Sequence, residues 1–388
     1  MKITAVTAYV VRPELGALEL RDEWQWTFVV IETDSGLSGW GESSSSPRKG
    51  SFLTARGIQL VQDALIGEDP ADIENIWHRL YRRYTYMGSR GFPTTLLSGI
   101  DIALWDLKGK AVNQPIYELL GGKVREDVRL YANGWFDNCH TADEYAHAAK
   151  LVVDSGHDAI KLDPFLEMMP RHTMYLDGQI SKRGEQDGYD RVSAIRQCVG
   201  AEVEILIDAH GNFNVPTAVR LADRLTVESD IGWFEEPVPP ESLDALENVR
   251  RQTKAPLCTG ERLFTRWDFL PVLTRQLADY LMPDVTWTGG ISELKKIANL
   301  AEIFNIPISP HNAQGPGQIL AGAHVAMHVP NFYRLEHCVS FIPGYNEFLQ
   351  TPLEFNGNCL EIPHAPGLGI ELDIEQVRVK LHPDWFVE

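Results

Sequence analysis

Six ionisable residues, Asp208, Glu235, Glu261, Asp284, His311 and Glu336, follow one another along the chain at intervals of 23 to 27 residues. That interval is the length of one strand, one helix and two short loops. Five of the six end a short apolar run (ILIDAH, GWFEEP, YLMPDV, PISPH and RLEH), whereas Glu261 closes a small-residue stretch, PLCTGE. Acids and bases at successive strand ends converge on one mouth when the strands close into a barrel. An isolated Asp or Glu is most often a solvated surface group, but three at barrel spacing call for another account. Asp208, Glu235 and Glu261 aimed at one point repel unless a cation sits among them, and hard oxygen ligands with room for water and substrate suit Mg²⁺. In the Glu235-Glu236 pair the ligand is assigned to Glu235.

The remaining members of the ring read as proton-handling groups. Asp284 and His311 end consecutive strands, close enough for the carboxylate to accept from one imidazole nitrogen and leave the other as a general base. His210 lies two residues after Asp208, and i and i+2 on a strand face the same way, so it is expected to look into the same mouth. Glu336, if buried and protonated, is placed to donate a hydrogen bond to a developing oxyanion. Lys161, with Asp163 at i+2, is placed to neutralise charge on an intermediate. A divalent metal, an Asp-supported His and cationic or protonated acceptors together suit removal of a proton next to a carboxylate. The enediolate so formed is the species that must be stabilised.

The elements that must position these groups are legible in the periodicity. The strands are VRLYANG from Val128, AIKL at Ala159–Leu162, and the six runs quoted above. Stretches such as Ala218–Leu225 and Glu293–Phe304 carry helical periodicity between them. The fold class expected is α/β, a (β/α)8-type barrel; an open doubly wound sheet is disfavoured because no G-x-G-x-x-G follows the first strand. Residues 1–125 read as an α+β capping domain, strands first and helices after, and 126–338 as the barrel. Residues 339–388 read as a segment that returns to the cap through a strand-like Val377–Leu381. Phe165–Tyr189 is long for a strand-to-helix loop and reads as a lid or specificity element.

Composition narrows the partners. A formal net charge of −19 argues against nucleic acid and anionic membrane surfaces, though not against an anionic small molecule met by a bound cation. No apolar run is long enough to cross a bilayer. MKITAVTAYVV reads as a strand rather than a signal peptide. The five cysteines, Cys139, Cys198, Cys258, Cys338 and Cys359, form no C-x-x-C, which suits reduced thiols and a cytoplasmic location.

At these residues the chain resembles the enolase superfamily, in its mandelate racemase subgroup, and is most similar to sugar-acid dehydratases of the galactonate dehydratase type. The resemblance runs the whole length. It rests on the ring together with TGER-L-F (Thr259–Phe264), PDV…GGISE (Pro283–Glu293), SPHNAQGP (Ser309–Pro316) and PGLGIELD (Pro366–Asp373). It implies Mg²⁺ on Asp208, Glu235 and Glu261, an Asp284–His311 general base, His210 as the acid that protonates a departing 3-hydroxyl, and Glu336 as hydrogen-bond donor to the enediolate. Lys161 matches the first lysine of the subgroup's K-x-K motif. Asp163 stands where racemases carry the second, which disfavours racemisation. The resemblance also implies a sugar-acid substrate, a homo-oligomer, and specificity in the cap. There Leu15–Trp26 (with Trp24) and Ser43–Gly50 are expected lid loops, and Tyr86 and Arg90 further substrate contacts. The function implied is a Mg-dependent dehydratase of an aldonate or aldarate giving a 2-keto-3-deoxy acid. The alternatives are a cycloisomerase of a sugar-acid lactone or anhydro acid, and a non-catalytic barrel acting as sensor or scaffold.

Overall fold

Alternating polar and apolar residues build the N-terminal sheet of the computed structural model, which describes residues 1–15, 24–45, 50–169 and 177–386. Strands β1 (Ile3–Val11), β2 (Trp26–Thr33) and β3 (Ser38–Glu42) pair antiparallel in that order. The turn between β2 and β3 uses Gly36 at φ 82°, a conformation that costs glycine little. Helices α1 (Gly50–Val61), α2 (Ile73–Arg83), α3 (Phe92–Val112) and α4 (Ile116–Leu120) follow. Helix α3 lies directly on β3 because the strand has glycines where the two touch: a Cβ on Gly41 would stand 2.3 Å from the Gly99 carbonyl oxygen.

From Val128 onward strands and helices alternate. The order is β4 (Val128–Asn133), α5 (Ala142–Asp154), β5 (Ala159–Leu162), α6 (Lys182–Val199), β6 (Glu204–Asp208), α7 (Val215–Ser229), β7 (Trp233–Glu235), α8 (Leu243–Gln252), β8 (Leu257–Thr259), α9 (Thr265–Thr274), β9 (Tyr280–Leu281), α10 (Gly290–Ile303), α11 (Pro316–His328) and β10 (Leu335–Cys338). Strands β4 to β9 pair in parallel, each with the next. Ile308 bridges Leu281 on one side and Phe332 on the other, and β10 pairs with β4, so the sheet closes through eight strand positions. The Phe165–Tyr189 stretch is shorter as a loop than its sequence suggests, because α6 begins at Lys182, capped by Ser181 Oγ accepting from the Gly184 amide. His172 and Met174 lie outside the described residues.

The barrel interior is a packed plug. Tyr131, Ala159, Leu206, Trp233, Cys258 and Met282 form one buried cluster. Because side chains alternate along a strand, the residue two positions beyond each plug residue shares its face. Leu206 thus leads to Asp208 and Trp233 to Glu235, one layer nearer the strand ends. All five cysteines are free, and Cys258 is the small buried residue of this plug.

After β10 come α12 (Ile342–Glu347) and a hairpin, β11 (Phe355–Asn356) and β12 (Cys359–Leu360), which pairs with the start of β4. The expected strand at Val377–Leu381 is not one. Ile374–Val379 is a helix, α13, started by Asp373, whose side chain accepts from the Gln376 amide. Only Leu381 bridges to Val11, and the His382 amide donates to the Val10 carbonyl. No helix among the described residues is long and apolar enough to cross a membrane.

Cap and barrel are joined by buried polar contacts. Asp101 on α3 accepts from the Ser292 amide (3.0 Å) and hydroxyl (2.6 Å) at the start of α10. Gly290 makes this approach possible, since a Cβ there would stand 2.3 Å from Asp101 Oδ2. Trp77 Nε1 donates to the Gly289 carbonyl (2.8 Å). Asp101→Ala strands two buried donors and is expected to lower stability by about 1–3 kcal/mol, read by thermal or urea unfolding. An unchanged midpoint would place the seam's strength elsewhere.

Candidate active site

The strand ends deliver their carboxylates to one buried place. Asp208, Glu235 and Glu261 present oxygens that lie within 4.8 Å of one another, and all three side chains are buried. The register Asp208↔Glu235 sets the first two side by side. Lys161 enters from β5, fully enclosed, with Nζ 3.2 Å from Asp208, 3.2 Å from Glu235 and 2.9 Å from Glu336. Burial alone would favour the neutral amine, but Glu235, Glu336 and Asp208 outweigh it and hold Lys161 protonated, its pKa well above the ordinary lysine value. One ammonium does not satisfy the ring. Burial, with the Asp208 charge added, pushes Glu235 well above the ordinary glutamate value. Asp208 Oδ2 and Glu235 Oε2 are buried and accept no hydrogen bond of sound geometry. Unsatisfied carboxylate oxygens at this spacing fit a small hard cation such as Mg²⁺.

Two imidazoles touch different members of the triad. His311 Nδ1 lies 2.7 Å from Asp284 Oδ2, and its Nε2 lies 3.4 Å from Glu261. Burial disfavours the imidazolium, yet Glu336, the Asp284 bond and Glu261 prevail and push the His311 pKa up to about 9. His210 Nδ1 lies 3.1 Å from Asp163 and 3.4 Å from Asp208. Here too the carboxylates, Asp163 first, overcome burial and raise the pKa well above that of free histidine. Burial opposes ionisation of Asp208, but His210 and Lys161 hold its pKa below the usual range.

His210 reaches this place by a different route from the one strand alternation suggests. Strand β6 ends at Asp208, and His210 sits in the left-handed region at φ 46°, its amide donating to Asp208 Oδ1 at 2.8 Å. Glu236, which follows Glu235, is also left-handed at φ 38°. Arg262 ties both: Nε donates to Glu236 Oε1 at 2.9 Å and Nη2 donates to the His210 carbonyl at 3.0 Å. Burial pushes Glu236 up to about 7, against the pull of Arg262. The Glu236 carboxylate is engaged by the Arg262 guanidinium, whereas Glu235 groups with Asp208 and Glu261.

Glu336 differs from its expected state. The expectation is that Glu336, if buried and protonated, donates. Its Oε1 accepts from Asn133 Nδ2 (2.7 Å) and Lys161, and its Oε2 from the Asn312 amide (3.1 Å). Burial opposes its ionisation, but Lys161 and His311 prevail and hold its pKa below the ordinary value. The neighbour with protons to give is the Lys161 ammonium.

Asp163 is brought in, 9 % exposed and bonded to His210. The other expected substrate contacts have other surroundings. Tyr86 is fully exposed, Arg90 pairs with Asp268 at 2.7 Å, and Trp24 packs edge-on against Phe341 at 5.0 Å. Arg90 is drawn off because Asp268 offers a countercharge at the start of α9. The middles of the two expected lid loops, 16–23 and 46–49, lie outside the described residues. Of the Phe165–Tyr189 segment, Met168 and Met169 line the small cavity beside Asp163, Asp208 and His210. The sequence reading missed Arg262, Thr286, Trp287, Asn312 and Gln318. The first four sit inside or between the TGER, PDV and SPHNAQGP phrases, which were the available signal.

Comparison with known proteins gives the family. Residues 2–121 match the mandelate racemase / muconate lactonizing enzyme N-terminal domain, and residues 144–377 match the enolase C-terminal domain-like family. The chain belongs to the enolase superfamily and carries both domains of the mandelate racemase / muconate lactonizing type. It is 34% identical over 397 residues to D-galactonate dehydratase of Ralstonia pickettii, covering 99% of this chain and 96% of that one. It is 34% identical over 347 residues to D-gluconate dehydratase of Thermoproteus tenax, covering 89% and 67% respectively. It is also 34% identical over 400 residues to D-galactarolactone cycloisomerase of Agrobacterium fabrum, covering 99% and 100%. Among solved structures, a mandelate racemase/muconate lactonizing enzyme-like protein from Rubrobacter xylanophilus superposes with TM-score 0.88 at 36% identity, over 98% of this chain and 97% of that one.

Arg262→Ala is expected to lower stability by about 1–2 kcal/mol, the partly exposed guanidinium being screened. Adding Glu236→Gln recovers part of the loss, because no carboxylate is then left unpaired. Strictly additive effects in chemical denaturation would refute the coupling.

Proposed function

We propose that the protein is a Mg²⁺-dependent dehydratase of an aldonic acid, acting by syn or anti loss of water between C2 and C3 to give a 2-keto-3-deoxy acid. One observation carries the reading: two separately oriented His–Asp pairs flank a single carboxylate triad, His311 at Glu261 and His210 at Asp208. Mg²⁺ held by Asp208, Glu235 and Glu261 would supply Lewis-acid stabilisation of negative charge developing on the substrate carboxylate.

The chain's own residues account for the proton traffic. Asp284 fixes His311 Nδ1, so Nε2 is the atom that takes the C2 proton. The Lys161 ammonium stabilises the negative charge that results. As the C2–C3 double bond forms, the C3–O bond breaks, and His210, its Nδ1 held by Asp163, gives a proton from Nε2 to the departing hydroxyl. Water leaves, and the enol tautomerises to the ketone. Asp163 at the second lysine position supplies no base for a second face of the carbon, which argues against racemisation.

The match to a cycloisomerase over the full length of both chains supports a second reading, expulsion of a ring oxygen from a lactone after the same first step. Product mass separates the two, since dehydration loses water and cycloisomerisation does not.

Incubation of D-gluconate, D-galactonate and D-xylonate in deuterated water tests the proposal. His311→Asn should abolish exchange of the C2 proton. His210→Asn should block release of water by at least roughly a hundredfold while exchange continues. Chelation should stop turnover and Mg²⁺ restore it. Full activity of His311→Asn would refute the base assignment.

The His311 pKa carries a further test. In metal-free protein the imidazole should titrate near 9, protonated below and neutral above. Only the neutral form accepts a proton, so the rate falls toward acid. A cation on the triad offsets the Glu261 charge that raises this pKa, so with Mg²⁺ the titration should move below 9. Imidazole NMR with and without Mg²⁺ measures the shift, and a titration indifferent to the metal would contradict it.

A further inference from the structure

The base dyad is held from outside the barrel. Glu42, the last residue of β3, is completely buried at the start of α11. Its Oε1 accepts from the Gly315 amide at 2.7 Å and from Ser44 Oγ at 2.5 Å; its Oε2 accepts from the amides of Gly317 (2.8 Å) and Gln318 (3.1 Å). The contact tolerates only glycine on the barrel side. A Cβ on Gly315 or on Gly317 would stand 2.7 Å from Glu42 atoms. A carboxylate so placed satisfies the Gly315 and Gly317 amides at the helix start, and shares the Gln318 amide with the Gly315 carbonyl at 3.2 Å.

The next link leads to the dyad. Gln318 Nε2 donates to Asp284 Oδ2 at 2.6 Å, the oxygen that also accepts from His311 Nδ1. The other oxygen of Asp284 is taken by the amide and hydroxyl of Thr286, both at 2.7 Å. Asp284 is therefore oriented from all sides, and Gln318 is the donor whose backbone Glu42 anchors. Gln318 Oε1 accepts from the Gln314 amide at 2.7 Å, which fixes which end of its amide faces Asp284.

The same cap segment reaches His311 by a second path. Trp287 Nε1 donates to the Ser44 carbonyl at 2.8 Å, and the indole lies against the His311 ring, centroids 5.4 Å apart and planes 36° apart. Ser44 is itself fixed, its hydroxyl on Glu42 and accepting from the Thr27 amide at 3.0 Å. One strand end of the cap thus sets a hydrogen bond behind the imidazole and an aromatic wall beside it.

We infer that Glu42 is a positioning residue for proton abstraction: through the start of α11 and Gln318, and through Ser44 and Trp287, it orients the Asp284–His311 dyad, so a barrel without its seated cap lacks an aligned base. The inference rests on the assignment of His311 as base. It adds that the cap contributes to chemistry as well as to substrate choice.

Glu42→Gln tests it. The amide has one accepting oxygen where the carboxylate has two, and its NH₂ faces backbone N–H groups. In folded protein, expected losses are roughly tenfold to a hundredfold in C2 proton exchange and in kcat, with KM changed by less than about twofold. The downfield NMR resonance of the His311 Nδ1 proton should shift or broaden. It reports the bond to Asp284 without any substrate. Glu42→Asp keeps the charge and should recover part of the loss. If Glu42→Gln does not fold, Gln318→Met decides, since it removes the side-chain link to Asp284, along with the bonds to the Gln314 amide and the Thr286 hydroxyl, while leaving the Gln318 amide on Glu42, and should reproduce both effects. Exchange and the Nδ1 resonance both unchanged in folded Glu42→Gln, or in Gln318→Met when that variant decides, would overturn the inference. His311→Asn run alongside separates the two claims: exchange surviving there defeats the base assignment, whereas exchange lost there but intact in Glu42→Gln defeats only the role of Glu42.

Discussion

Like charges forced together in a dry place govern this molecule. Asp208, Glu235, Glu261 and Glu336 sit buried at strand ends, with the Lys161 ammonium among three of them and Arg262 3.7 Å from Glu261. Such a cluster is costly by itself, and it persists because the surrounding fold over-determines its position. Beneath lies the apolar plug of Tyr131, Leu206, Trp233 and Met282; around it, donors such as Asn133 and the Asn312 amide take up individual lone pairs. The charge left over suits a cation at the Asp208–Glu235–Glu261 cluster and raises the pKa of two imidazoles.

Those imidazoles show how one kind of side chain acquires two stations. Both have raised pKa values, and in both a carboxylate behind Nδ1 is part of the cause. They differ in what holds them. His311 is locked by a bond network reaching into another domain. His210 depends on an unfavourable backbone angle kept by Arg262. Strain stored at a proton-handling residue and restrained by a neighbour's guanidinium is a common way to hold geometry that propensity alone would not.

The barrel was readable because its repeat is long and regular: five of the six ring residues end an apolar run, and strand alternation fixes which residues share a face. The triad and the Asp284–His311 pair follow from that pattern alone. What the pattern did not reveal depends on contacts between distant segments. Glu42 meets Gly315 across 273 positions, and no local periodicity encodes such a meeting. Ionisation states were equally out of reach: Glu336 reads in sequence as a candidate acid, and only the nearness of Lys161 makes it an acceptor. Val377–Leu381 has β-branched residues typical of a strand, but the cap formed by Asp373 turns it helical. Arg90 and Tyr86 were placed by family expectation rather than by pattern, and Asp268 claims the first of them.

The filled barrel axis has a consequence for traffic. With Trp233 and its neighbours sealing the floor, nothing crosses from one end of the cylinder to the other. Whatever binds at the strand ends therefore has to enter and leave on the side of the plug where the carboxylates lie. In the reaction proposed above, departure of the product would have to precede the next arrival, so that release rather than bond breaking can set the pace.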